Sequence, residues 1–156
     1  MRPYPEELLR ALQGGIATHL APELQSNYAK AQFGFAMLLF NIATRDYDTA
    51  VPDLIEANRT LRSLLNEAMQ ALAVIATEGA AEARAAAALP PAADSLRLAA
   101  LRAEHDDLRA VLSKLAPLIE AAGDDDALAP LRESRTAIYA YLAADAKKRI
   151  VPILSA

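Results

Sequence analysis

Apolar positions recur along this chain at spacings of three and four, the rhythm of amphipathic helices. A first helix is predicted from Pro5, a residue suited to the first helical position, to about Leu20. Leu9, Leu12 and Ile16 point inward, and Gly14 and Gly15 weaken its middle. Pro22 starts a second helix that reaches about Arg45. Between Phe33 and Ala43 this helix has one polar side chain, that of Asn41, so it carries two apolar faces. Leu24, Tyr28, Ala31, Phe35, Leu38 and Ile42 suit a core. Phe33, Met37 and Phe40 make a second face that needs the first helix or another subunit to cover it.

The segment "DYDTAVP", Asp46 to Pro52, reads as a turn, with Asp48 as the N-cap and Pro52 in the first turn of a third helix extending to about Thr77. There Leu54, Asn58, Leu61, Leu65, Ala68, Leu72 and Ile75 form a coiled-coil-like seam with one polar occupant. Residues 79–93 are an Ala/Pro-rich connector ended by Pro90 and Pro91; continuation of the third helix past Gly79 is as well supported as a break there. Asp94 caps a fourth helix with the seam Leu98, Leu101, His105, Leu108, Leu112, Leu115 and Ile119, in which Pro117 introduces a kink or an end. Gly123 and three aspartates then mark a stop. A fifth helix follows from about Ala127 to Lys148, with Leu128, Leu131, Arg135, Ile138, Leu142 and Asp145 in its stripe. Pro152 stops it, and Ile150, Ile153 and Leu154 are expected against the bundle or a neighbour.

Short connections make neighbouring helices antiparallel. The expected fold is therefore all-α: an up-down-up-down four-helix bundle of helices two to five with an additional N-terminal helix, in a single domain of residues 1–156. The abundance of alanine and leucine, against only 5 glycines, agrees with that class.

Polar residues at seam positions are the candidate site. Counting depth at about 1.5 Å per residue from the turn at Asp46 to Asp48 places Asn41, Asn58 and Arg135 in one layer. Either they hold a small anion or amide-bearing ligand, or they hydrogen-bond one another and fix helix register, with Glu56 or Glu133 as counter-charge. The same counting brings His105, Asp145 and Tyr28 together at another depth. That trio has the composition for acid–base work without a visible nucleophile, so a satisfied core histidine is the preferred reading. "RAEHDDLR", Arg102 to Arg109, otherwise reads as a solvated face of alternating charge.

A net charge of -4 argues against a nucleic-acid surface. No cofactor is expected: phosphate-binding glycine loops and nucleotide fingerprints are absent, and 2 histidines without cysteine make a transition-metal site improbable. The zero cysteine count fits a reducing cytoplasm, the first residues lack the apolar core of a signal peptide, and the apolar run falls short of the roughly 20 residues that span a bilayer, so no membrane partner is expected.

The succession "PEELLRAL", "LAPEL", an apolar helix ending "NIATRD" and a C-terminal "YLAADAKKRIVP" resembles small helical bacterial proteins of uncharacterised function encoded near acyl-CoA dehydrogenases and aminoglycoside-phosphotransferase-like enzymes. The likeness covers both ends of the chain, skips the middle and transfers no functional residue. The expectation that results is a non-catalytic helical protein acting by association as a homodimer or as an accessory to a protein partner, with Phe33, Met37 and Phe40 at the interface. The alternative is a binder of an acidic or amphipathic small molecule.

Overall fold

The computed structural model describes residues 3–149, apart from the side chains of Asp48 and Arg149. The tail positions Ile150, Ile153 and Leu154 lie outside the described residues. All regular structure among the described residues is helical, and no strand forms. Five α-helices are joined by shorter helical turns: α1 (Pro5–Gly15), α2 (Asn27–Ala73), α3 (Glu78–Ala86), α4 (Leu98–Ala121) and α5 (Arg132–Arg149). The chain divides into two compact units, Met1–Ala50 and Val51–Ala156.

In the first unit α1 begins at Pro5, and the Tyr4 N–H donates to Glu7 Oε2 at 2.9 Å. The helix passes into a π-helical turn, Ile16–Leu20, and a 3-10 turn, Ala21–Glu23, that contains Pro22. Pro22 therefore closes the first helical segment rather than starting the next one. The start of α2 is set by Ser26, whose Oγ accepts from the Ala29 N–H at 3.0 Å and whose carbonyl accepts from the Lys30 N–H at 3.0 Å. Serine is a good N-cap because its short hydroxyl reaches a backbone donor of the first turn.

The turn expected over Asp46–Pro52 does not form. α2 runs for 47 residues with Pro52 inside it, so the expected second and third helices are one. Proline lacks an N–H and crowds the carbonyl four residues earlier, which costs about 3 kcal/mol and kinks some helices without ending them. Here Ile42, Thr44, Ala50, Val51 and Leu54 are partly buried on either side of it. The up-and-down pairing expected of those two helices within one chain is thus not made at this point.

The second unit holds the core. Leu61, Leu65, Ala68 and Leu72 of α2 pack with Leu108, Val111, Leu115 and Ile119 of α4 and with Leu128, Leu131 and Ile138, all at most 4% exposed. These α2 and α4 residues are the seam positions the spacing predicts, with Val111 added. α2 ends at Ala73, short of the expected Thr77. Thr77 caps the separate α3 by accepting from the Ala80 N–H at 3.3 Å, so the break falls over residues 74–77, ahead of Gly79, and the first part of the expected connector, through Gly79 to Ala86, is helical.

Asp94 is not a cap, because α4 begins four residues later at Leu98. Pro117 lies within α4, which continues to Ala121. Past the turn at Gly123, Asp125 accepts from the Ala127 N–H at 2.8 Å, and a 3-10 segment, Asp126–Leu131, leads into α5.

Candidate functional site

The most conspicuous polar feature is a buried group around Asn58, at its seam position on α2. Its Nδ2 donates to the Leu101 carbonyl at 2.9 Å and to Glu104 Oε2 at 3.2 Å. Both partners are acceptors, so the amide orientation is fixed and Oδ1 faces His105 Nδ1 at 2.9 Å. An amide oxygen can only accept; Nδ1 must therefore carry the proton, and the tautomer of a neutral His105 is set with the lone pair on Nε2.

Glu104 is the hub of this group. Its side chain is 8% exposed and pairs with Arg62 at 2.5 Å. Its Oε2 also accepts from the Ala93 N–H at 3.1 Å, and Arg62 donates to the Pro90 carbonyl at 2.7 Å. Two side chains on different helices thereby hold the proline-containing connector. Burial pushes the Glu104 carboxyl upward, but hydrogen bonds from Arg62 and Ala93, the Arg62 charge and Asn58 outweigh it, leaving the group below its ordinary value.

Above this group lies a cleft of about 570 Å³ walled by α2, α4 and α5. His105, only 7% exposed, forms part of its lining together with Asp145 and Tyr141 of α5 and Arg102, Asp106 and Arg109 of α4. His105 and Asp145, paired by helix counting, do share one cleft. Tyr28 belongs to the first unit, is 75% exposed and is no part of the lining.

The expected layer of Asn41, Asn58 and Arg135 is not assembled. Asn41 accepts from Gln13 Nε2 within the first unit. Arg135 stacks over Tyr139, its Cζ 5.0 Å from the ring centroid, and its guanidinium lies where a Cβ on Gly123 would come within 3.3 Å. Its buried Nε has no hydrogen-bond partner among the described residues. Glu56, one proposed counter-charge, pairs instead with Arg59 at 2.5 Å. The layer depended on counting from a turn that is absent, and the count failed with it.

Glu104 was hidden by its neighbours. In "RAEHDDLR" it looks like one more solvated acid, yet it lies three residues after Leu101 and beside His105, on the buried flank of α4. The available signal was Arg62, four residues after Asn58 on the facing helix and so placed to meet it.

In the first unit, the two apolar faces of α2 have exchanged roles. Phe33, Met37 and Phe40 are half-buried, as are Leu9 and Gln13 of α1 and Ile16 of the π-helical turn. With Gln13 bonded to Asn41, the two stripes turn towards each other inside the unit. Tyr28, Phe35, Leu38 and Leu39, of which Tyr28, Phe35 and Leu38 belong to the face expected in a core, are exposed.

Among the described residues, no helix is long and apolar enough to cross a membrane, and no group of three or more His, Asp and Glu is placed to hold a metal ion. No family model matches this chain, and neither the curated proteins nor the solved structures contain a match to it.

Proposed function

We propose that this protein is a non-catalytic helical module that works by association, with a second copy of itself as partner and residues 5–50 as the contact surface. One observation carries the reading: no described residue of the first unit is fully buried, although that unit displays Tyr4 at the N-cap of α1, Leu8 and Leu12 on α1, and Tyr28, Phe35, Leu38 and Leu39 on α2. Contiguous apolar surface of this kind commonly marks interfaces. Positions 4, 8 and 12 share a helix face, as do 28, 35 and 39, so each helix offers a stripe rather than scattered side chains.

The surface is nearly uncharged along those stripes, which suits a two-fold contact in which the same patch meets itself. In this reading two copies, each contributing α1 and the first part of α2, bring four helices together. An acidic chain without cysteine suits a cytoplasmic protein with protein partners rather than nucleic acid. The resemblance in the terminal segments leaves room for an accessory role beside an enzyme, and the same surface would serve it.

The test is the molar mass in solution. Light scattering or sedimentation at micromolar concentration should give a dimer, and Phe35→Lys should give a monomer with the helical circular dichroism retained. Phe35 is 58% exposed, so its replacement leaves the fold of one chain alone. Met37→Lys is the poorer probe, because Met37 is half-buried in its own unit. A wild-type protein that stays monomeric at about 100 μM, where even a contact worth only about 5.5 kcal/mol would be half-formed, overturns the proposal.

A further inference from the structure

The cleft of about 570 Å³ between α2, α4 and α5 falls within the size range of small-molecule sites. Its charges are unevenly satisfied. Glu56 is engaged by Arg59 and Thr60. Arg102 and Arg109 on α4 and Lys148 on α5 line the same space, and none of the three forms an ion pair or a side-chain hydrogen bond among the described residues. Arg102 and Arg109 are seven residues apart and so share one face of α4, about 10 Å from each other along the axis.

The floor beneath these cations is rigid. His105 is tied through Nδ1 to Asn58, and Asn58 to Leu101 and Glu104, so the base of the cleft is organised before anything enters it. Leu54, Ala57, Ala144 and the Tyr141 side chain supply apolar wall. Asp53, Asp106 and Asp145 line the same space together with Glu56, so it accepts little negative charge beyond one group set directly against the α4 guanidiniums. A polyphosphate would meet carboxylates as well as cations, whereas a single carboxylate can be gripped by one guanidinium with its remaining bulk on the apolar wall.

We propose that this cleft binds a small organic monocarboxylate with an apolar body, its head group held by Arg102 and Arg109 and its body laid over His105 and Leu54. Every lining residue belongs to the second unit, whereas the proposed association surface belongs to the first.

Histidine NMR offers a direct test, because the chain has only 2 histidines and His19 is exposed in the first unit, outside the lining. 4-Phenylbutyrate titrated to about 10 mM, the range of weak small-ligand affinities, should move the His105 ring signals saturably and leave those of His19 in place. The neutral amide of the same acid should not move His105 over that range. Arg102→Gln combined with Arg109→Gln should weaken the carboxylate response by about tenfold or more, and both residues are exposed, so circular dichroism should be unchanged. No saturable shift of His105, equal binding of acid and amide, or a response that survives the double substitution would each overturn the proposal.

Discussion

At the residue scale, Glu104 joins α2, α4 and the proline-containing connector. It is linked to Arg62, Asn58 and the backbone of Ala93, so its replacement frees a connector as well as two side chains. Glu104→Gln should destabilise the protein by about 3 kcal/mol, the lower end for breaking a buried pair, because Arg62 at 25% exposure can still reach water. The urea midpoint measures it. The pH dependence has a definite sign: the folded-state value of Glu104 lies below the ordinary 4.5, so its contribution is fully present above that value. As the pH falls through the lower, folded value the contribution is lost. Wild-type stability should therefore drop as the pH falls below about 4.5, and Glu104→Gln should show a shallower drop; parallel curves would remove Glu104 from the account.

His105→Leu tests the same group from its other end. It strands the buried Oδ1 of Asn58, at an expected loss of about 1 to 3 kcal/mol. Pairing it with Asn58→Leu should recover part of that loss, since the stranded Oδ1 is removed as well, although Leu101 and Glu104 each lose the Asn58 donor; a double-mutant cycle with no coupling would contradict the hydrogen bond. Asn58 and His105 were legible in the sequence as polar interruptions of apolar seams. Their bond to each other was not, because periodicity reports which face of a helix a residue occupies and nothing about its partner on the next helix.

The helices carry a second set of consequences. α2 keeps its path through Pro52 despite one missing backbone donor, so Pro52→Ala should raise stability by up to about 3 kcal/mol and leave the helix content unchanged. A loss of stability on this change would show that the proline is needed where it stands. Gly34, in the exposed part of α2, has no atom within 4 Å of the position a Cβ would take, so Gly34→Ala should stabilise by about 1 kcal/mol through helix propensity alone. From Leu131 at the end of the 3-10 segment, the inward stripe continues in α5 through Ser134, Ile138 and Tyr141 rather than Arg135, Ile138 and Leu142. The preceding 3-10 turn accounts for the direction of this shift: it advances about 20° more per residue than an α-helix and rotates everything after it. A pattern read at constant period cannot register such a change of phase.

For the whole molecule, association predicts a stability that depends on concentration. If residues 5–50 bury their apolar stripes against a second copy, the thermal midpoint should rise with protein concentration, as it does whenever assembly is linked to folding. A midpoint independent of concentration over about two decades would count against the dimer as firmly as a monomeric mass.

By itself the sequence determined the helical class and the seam positions of α2 and α4, because burial of Leu61, Leu65, Leu108 and Leu115 follows from a spacing that only a helix turns into one face. It determined equally that Asn58 and His105 would be polar groups in apolar company. The tertiary structure decided whether Asp46–Pro52 would turn, which face of α2 the first helix would cover, and that Glu104 would leave solvent for Arg62. Each of these rests on small local preferences, a fraction of a helix turn or one hydrogen bond, that are outweighed by contacts between residues far apart in the chain. Those contacts exist only once the helices have packed.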